Sequence, residues 1–470
     1  MTDANAVGGT PAPDHAQDYD MVVLGGGSGG YAAALRGAQL GLSVALIEAD
    51  KVGGTCLHRG CVPTKAILHS AETADTIREA AAVGVRAAFD GIDMPAVQEY
   101  KNGIVTRMYK GLQGLVSARG IDLVTGWGTL VAADTIEVAG RHYRGRNVVL
   151  ASGSHPKTIG QEISGPVMTS DQALELDHVP ASAVILGGGV IGVEFASAWA
   201  SMGARVTIIE ALPHLVPNED EAISKQLERA FRKRRIDFRI GTRFESVDRT
   251  DSGVRVHTAD GAAVEAELLL IAVGRGPTTA NLGYEEVGVA MDRGFVLTDA
   301  YGRTNVPGVW AVGDIVPGVQ LAHRGFAQGI AVAERIAGLS PDPVDDVKVP
   351  KVTFCEPEIA SVGLSEARAV ELHGAENIVT SQFNVAGNAK SQILGTQGFV
   401  KLVSLKDGPI LGFHAIGTRM GEQIGEGQLI VSWEADADDV AALVHAHPTQ
   451  NETIGEAAMA LAGKPLHNHA

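Results

Sequence analysis

A chain of 470 residues has room for about three domains, and its 58 glycines suit an α/β protein with many tight turns. The formal charge of −17 argues against a nucleic-acid partner, because phosphate binding needs clustered Lys and Arg. No apolar run approaches the roughly 20 residues of a membrane span, and only three cysteines occur, so a cytoplasmic protein without structural disulfides or a membrane partner is expected.

Met1 to Gln17 is polar and rich in Ala, Pro and Gly. It lacks the basic region and apolar core of a signal peptide, which predicts a frayed tail. Tyr19 to Leu24 then reads as a buried strand, followed by Gly25-Gly26-Gly27-Ser28-Gly29-Gly30, a helical pattern from Tyr31 to Leu40 and a second strand, Ser43 to Ile47, ending at Glu48. This is Gly-x-Gly-x-x-Gly between strand and helix, with a carboxylate 18 residues past the last glycine. Gly25, Gly27 and Gly30 let the backbone approach a pyrophosphate at the helix N-terminus, and Glu48 is placed to bind ribose hydroxyls.

Directly behind stands Gly53-Gly54-Thr55-Cys56-Leu57-His58-Arg59-Gly60-Cys61-Val62-Pro63-Thr64-Lys65, ahead of a helix-like run from Ala66 to Ala80. Two thiols next to a nucleotide fingerprint and a helix N-terminus form a candidate redox pair, since positive potential stabilises the thiolate. Cys-x-His-x-x-Cys also admits a zinc site or an inert buried pair, although a structural zinc needs further ligands and usually Cys-x-x-Cys spacing. Cys355 has no obvious partner.

The nucleotide pattern then recurs. Ala183 to Leu186 is a strand, Gly187-Gly188-Gly189-Val190-Ile191-Gly192 the turn, Val193 to Met202 the helix and Arg205 to Ile209 the next strand, closing at Glu210. The acid again falls 18 residues past the third glycine. One such fingerprint is weak evidence; two complete units with equal spacing are strong. Glu210 would accept from a ribose 2′-hydroxyl but repel a 2′-phosphate, and Ala211-Leu212-Pro213-His214 supplies no Arg or Lys, so the second site suits NAD rather than NADP.

Further along, Arg229 to Arg235 reads as a solvated helix face, Arg239 to Ile271 as β-rich, and Val309 to Val312 as a strand. Beyond Lys351, strands are expected at Ile359–Val362, Gly398–Val403 and Ile410–Ile416, and the acidic run Glu434 to Asp439 begins a surface helix.

From about Asp18 to its end the chain resembles the class I pyridine nucleotide-disulfide oxidoreductases, and among them the dihydrolipoamide dehydrogenases most closely. The resemblance rests on the cysteine segment, both fingerprints, Ala-Val-Gly-Arg at Ala272–Arg275, Ala-Val-Gly-Asp at Ala311–Asp314, and His445-Ala-His-Pro-Thr-Gln-Asn-Glu452. It implies an α/β architecture of two Rossmann-like domains, for FAD and NAD, plus a C-terminal α+β interface domain. The expected boundaries are a tail at 1–17, FAD domain at 18–153 and 281–350, NAD domain at 154–280 and interface domain at 351–470.

The family pattern assigns FAD contacts to Gly25, Gly27, Gly30, Glu48, Lys65, Gly128, Ser152, Gly153, Ser154, Asp314, Leu321, Ala322 and His323. NAD contacts fall on Gly187, Gly189, Gly192, Glu194, Glu210 and Gly274, with Glu194 facing Lys65. Without the family, Lys65 with Glu194 reads equally as an ordinary ion pair, and Asp314 as a turn cap. Cys56 and Cys61 become the redox disulfide, outer and inner, with His447 the base and Glu452 its orienting carboxylate. Ser152 replaces the family's usual Thr, and His58-Arg59 its frequent Asn-Val, which changes the charge around the cysteines. The resemblance further implies a homodimer whose closing His and Glu serve the other subunit's disulfide. Its partners would be lipoyl-bearing acyltransferase or carrier proteins of 2-oxoacid dehydrogenase or glycine-cleavage systems. Mercuric reductases usually add a C-terminal cysteine pair, which this chain lacks after Cys355, and glutathione reductases favour basic residues where Glu210 stands. Mycothione reductase, which shares Pro-Thr-Lys after the second cysteine, stays open.

Overall fold

The computed structural model describes residues 17–468. The expected tail lies outside them except for Gln17, which already belongs to the first strand, Gln17–Leu24. The chain forms two compact units, one of residues up to Cys56, Met108–Ser154 and Pro277–Val344, the other of Leu57–Arg107, His155–Gly276 and from Asp345 on. The segment Leu57–Arg107 therefore clusters with the second unit rather than with the fingerprint it follows, and the chain crosses from one unit to the other between the two cysteines.

In the first unit, strands Asp122–Thr125, Val44–Glu48, Gln17–Leu24 and Arg141–Leu150 pair in parallel, and Val309–Ala311 adds in parallel to the last of these. Thr135–Val138 and Gly128–Ala132 extend the sheet in antiparallel fashion. Met21, Val22 and Val23 are completely buried, as expected of a central parallel strand covered on both faces. Helices Ser28–Gln39 and Ala322–Ile336 pack backbone to backbone. A Cβ on Gly329 would come within 2.2 Å of the Gly29 carbonyl oxygen, so glycine there sets the closeness of the two helices. An Arg36–Glu334 ion pair at 2.5 Å closes the far end of the same contact.

The second unit carries a parallel sheet in the order Asp237–Arg239, Arg205–Ile209, Ser182–Leu186, Leu268–Ile271 and Val167–Thr169. An antiparallel trio, Phe244–Thr250, Gly253–Thr258 and Ala263–Ala266, accounts for the expected β-rich half. A five-stranded antiparallel sheet follows in the order Lys351–Thr353, Glu358–Gly363, Ile410–Gly417, Phe399–Leu405 and Ile378–Asn384. Helices Met420–Ser432 and Glu452–Leu461 bury Ile430, Val431, Ile454 and Ala457 in the core that this sheet shares through Phe413 and Val400.

Helix Cys61–Glu79 places Ile67 and Ala71 in one apolar core with Val193, Ala196 and Trp199 of helix Val190–Met202 and with Phe399 and Ile416 of the antiparallel sheet. One core thus spans the cysteine helix, the second nucleotide fold and the C-terminal sheet. Among the described residues no helix is long and apolar enough to cross a membrane.

Candidate active site

The two glycine turns are built alike. Gly25 has φ +104° and Gly187 φ +102°, where side chains are strained. A Cβ on Gly30 would meet the Gly25 carbonyl oxygen at 1.8 Å, and one on Gly192 the Gly187 carbonyl oxygen at 1.9 Å. The third glycine is therefore a packing requirement of the turn. The second glycine is different: a Cβ on Gly27 finds only the Gly54 Cα at 4.0 Å, and one on Gly189 finds nothing within 4 Å. Both residues N-cap their helices, and neither supplies a side-chain cap. The open space beside Gly27 and Gly189, at the N-terminus of each helix, fits a pyrophosphate over each turn.

The acids also match. Glu48 accepts from the Gly26 N–H at 2.6 Å with Oε2 and from the Asp50 N–H at 2.8 Å with Oε1. Glu210 accepts from Gly188 N–H at 2.6 Å and from Leu212 N–H at 2.7 Å. Each carboxylate oxygen keeps lone-pair capacity for a ribose hydroxyl. His214, the one imidazole in the segment after Glu210, is turned to Glu228 at 3.1 Å.

Around the first turn, Gly128 opens its strand against Leu24, Ile47 and Ile136, with no room for a side chain. Ser154 Oγ donates to Asp314 Oδ2 at 2.5 Å, and Leu321 N-caps the helix that begins with Ala322 and His323. Ser152 Oγ donates to the Thr278 carbonyl at 2.6 Å and lies 2.9 Å from the hydroxyl of Tyr284, a fully buried residue whose phenol is pushed up by burial. Gly153 has φ +75°. Around the second turn, Gly274 has φ +101° and its carbonyl accepts from Lys157 N–H.

The cysteine helix starts earlier than its sequence suggests, at Cys61 rather than near Ala66, with Gly60 as N-cap. Pro63 is the reason: in a first turn its missing N–H costs nothing. Cys61 therefore sits where the helix dipole favours a thiolate. Cys56 is half-buried within the short helix Gly54–His58, and Cys61 is exposed. Tyr31 lies in the field of Cys56; burial first, then Cys56, pushes its phenol up to about 12. Cys355 is buried, and burial raises its thiol well above the usual range, so it is an inert thiol.

One turn after Cys61, Lys65 Nζ lies 2.8 Å from both oxygens of Glu194, which is 3% exposed. Glu194 Oε1 also accepts from Phe354 N–H at 2.9 Å, and the ammonium stands 4.7 Å from the centre of the Phe354 ring. Cys61, Lys65, His69, Tyr100 and Phe354 line an open pocket of about 400 Å³. Phe354 and Tyr284 are contributions that no local sequence signal announces.

At the C-terminus, His447 Nδ1 lies 2.8 Å from Glu452 Oε1, and Glu452 Oε2 accepts from Thr449 N–H at 2.8 Å. Burial works to raise the Glu452 carboxyl, but the Thr449 amide and His447 outweigh it and hold the group below the ordinary range. With Nδ1–H given to a carboxylate, Nε2 is the basic nitrogen. His447 is 73% exposed, whereas His445 is 13% exposed and bound to Glu426 at 2.7 Å, so His447 is the accessible one. Glu426, which takes a second bond from Asn451 and holds His445 with a raised pKa, is a second His–carboxylate pair absent from the sequence reading.

Residues 19–329 match the family described as Pyridine nucleotide-disulphide oxidoreductase, and residues 349–458 match the dimerisation domain of that family. The chain belongs to the pyridine nucleotide-disulphide oxidoreductases. Within that family, the dihydrolipoyl dehydrogenase of Bacillus subtilis is 37% identical over 478 residues, covering 96% of this chain and 100% of that protein. The dihydrolipoyl dehydrogenase of Geobacillus stearothermophilus is 35% identical, covering 97% and 98%. Among solved structures, LpdA from Mycobacterium tuberculosis superposes with a TM-score of 0.88 at 27% identity, covering 94% of this chain and 99% of that one. These oxidoreductases share the mixed α/β architecture expected from the paired fingerprints, with the C-terminal domain present.

Proposed function

We propose that the chain is an FAD-dependent dihydrolipoyl dehydrogenase that oxidises a dihydrolipoyl dithiol to the cyclic disulfide and reduces NAD⁺ to NADH, with release of one proton from the dithiol. The observation that carries this reading is the near end-to-end match to dihydrolipoyl dehydrogenases.

His447, oriented by Glu452 through Nδ1, takes a proton from the first substrate thiol at Nε2, because only the thiolate attacks efficiently. That sulfur bonds to Cys56, breaking the Cys56–Cys61 bond and releasing Cys61 as a thiolate at the helix N-terminus. The second substrate sulfur, deprotonated in turn, attacks the first, so the mixed disulfide breaks, lipoyl leaves and Cys56 is reduced. Two electrons then reside on the cysteine pair, and Lys65 one turn away balances the Cys61 charge. FAD, when bound, supplies the relay of those two electrons to NAD⁺. Gly25, Gly27, Gly30, Glu48, Lys65, Gly128, Ser152, Gly153, Ser154, Asp314, Leu321, Ala322 and His323 would hold FAD; Gly187, Gly189, Gly192, Glu194, Glu210 and Gly274 would hold NAD.

The dimerisation domain supports a homodimer. In this reading each His447–Glu452 pair serves the other subunit, and the enzyme works in the cytoplasm on lipoyl domains of 2-oxoacid dehydrogenase or glycine-cleavage assemblies. Purified protein should absorb as a flavoprotein, develop a long-wavelength band on adding dihydrolipoamide, and turn over with NAD⁺. Protein without flavin, or flavin that gains no such band, would sink the proposal; turnover with mycothione but not dihydrolipoamide would move it within the family.

A further inference from the structure

The field that Lys65 casts on Cys61 depends on where Lys65 is held. Its anchor, Glu194, is fixed from two sides: by its own helix, and by the Phe354 amide of the turn that follows strand Lys351–Thr353. That turn is pinned to the same helix one step further on, where Ser197 Oγ accepts from the Glu356 N–H at 2.9 Å. Arg234 locks both partners. Its Nη1 donates to Ser197 Oγ at 2.7 Å and to the Glu356 carbonyl at 2.8 Å, and its Nη2 donates to Ser201 Oγ at 2.6 Å.

The ring closes back on the cysteine helix. Ser201 Oγ donates to Asp75, whose other carboxylate oxygen accepts from Arg78 at 3.0 Å, and Arg78 also donates to the Ser201 carbonyl. The Arg234 side chain is only 20% exposed. A planar fork fits this junction because, with the Ser197 carbonyl at 3.3 Å from Nη2, it reaches four acceptors in fixed directions, which a single ammonium cannot.

We infer that Arg234 is a positioning residue for the thiolate of Cys61: it ties the Phe354–Glu356 turn to helix Val190–Met202, and so holds Glu194, and through it Lys65, in register with Cys61. This rests on the reading of Lys65 given above. Without the fork, the turn and Glu194 loosen, the ammonium spends less time near Cys61, and the thiolate becomes harder to form.

The test uses FAD-loaded enzyme carrying Arg234→Met, Arg234→Lys, Lys65→Met or Arg234→Met with Lys65→Met. The readouts are the pH at which the long-wavelength thiolate band of the dithiol-reduced protein is half lost, kcat with dihydrolipoamide, and KM for NAD⁺. Arg234→Met should raise the half-point by about half a pH unit, the size of a weakened nearby charge. It should lower kcat roughly threefold to tenfold, the size of one hydrogen-bond coupling, and, because Glu194 is also among the expected NAD contacts, raise KM for NAD⁺ no more than Lys65→Met does. Arg234→Lys should recover part of both, and the double variant should be no worse than Lys65→Met alone.

Fully additive effects in the double variant, or no movement of the half-point in Arg234→Met, overturn the inference and leave Arg234 a structural residue. Lys65→Met with a wild-type band and kcat sinks instead the role of Lys65, and this inference with it. Should Arg234→Met fail to fold, Ser197→Ala, which removes the acceptor shared by Arg234 and the Glu356 amide, must shift the half-point the same way; an unmoved half-point there also overturns it.

Discussion

Alanine at two glycines of the same turn should have opposite consequences. Gly189→Ala adds a methyl that meets no protein atom within 4 Å, at a residue with φ −76° and ψ −175° that alanine adopts freely. Replacing glycine by alanine at an N-cap costs about 1 kcal/mol or less. The methyl enters the space assigned to the NAD pyrophosphate, where overpacking of about 1–3 kcal/mol would weaken NADH binding by roughly 5–150-fold. Gly192→Ala instead sets a Cβ 1.9 Å from the Gly187 carbonyl oxygen, a backbone atom of the turn itself, and should cost about 3 kcal/mol of stability, at the upper end of overpacking. Thermal melts and NADH titration by fluorescence separate the two. A Gly189→Ala protein that melts and binds NADH like the wild type would remove the pyrophosphate from this turn.

His447→Gln should lower turnover of dihydrolipoamide by about 10²–10⁴-fold, the range for a lost acid–base group, with flavin retained; near-normal turnover would take His447 out of the mechanism. Cys56→Ser and Cys61→Ser should each abolish lipoamide turnover yet leave NADH oxidation by an artificial one-electron acceptor, and loss of both activities would mean a folding defect instead. Glu426→Gln tests the second His–carboxylate pair through pH. Because Glu426 raises the folded-state pKa of His445, the stability it supplies is fully present below the unfolded His value and is lost as pH rises through the folded one. The melting-temperature gap between Glu426→Gln and wild type should therefore be wider near pH 6 than near pH 9; a gap independent of pH would refute the charge pairing.

Where a feature repeats along the chain, the sequence disclosed it. The two turns, their acids and the strands Arg205–Ile209 and Ile410–Gly417 follow from glycine spacing and apolar runs. Asp436, within the acidic run, caps helix Ala437–Ala441 with Asp439 reciprocating, as a cluster of short acids before a helix should. What escaped depends on contacts distant in sequence. Arg234 reads as solvated within a basic run, but its helix ends at Lys233, so Arg234 leaves the solvent-facing stripe and turns inward to Ser197 and Glu356. Phe354 acts through its amide, which no side-chain pattern encodes, and Tyr284 through a hydroxyl that meets Ser152 across 132 residues.

The repeat also explains how one turn acquired the dithiol. In both nucleotide folds the carbonyl of the middle glycine accepts one further backbone N–H at 2.8 Å, from Gly53 onto Gly26 and from Val216 onto Gly188. The anchor is common, and the segments hung on it differ. In the second fold Leu215 packs over Gly188 and is fully buried, which closes that side with an apolar plug. In the first, Gly53 and Gly54 take φ of +110° and +58°, conformations strained for any side chain, and lay the chain so close that a Cβ on Gly54 would fall 2.6 Å from the Gly27 Cα. Two residues later comes Cys56. On the proposed reading, a Rossmann turn becomes a redox site through a glycine pair that brings the chain against the Gly25–Gly30 turn and releases it straight into the cysteine segment. Substituting Gly54 should therefore cost the placement of Cys56 before it costs the nucleotide fold, whose own glycines stay intact.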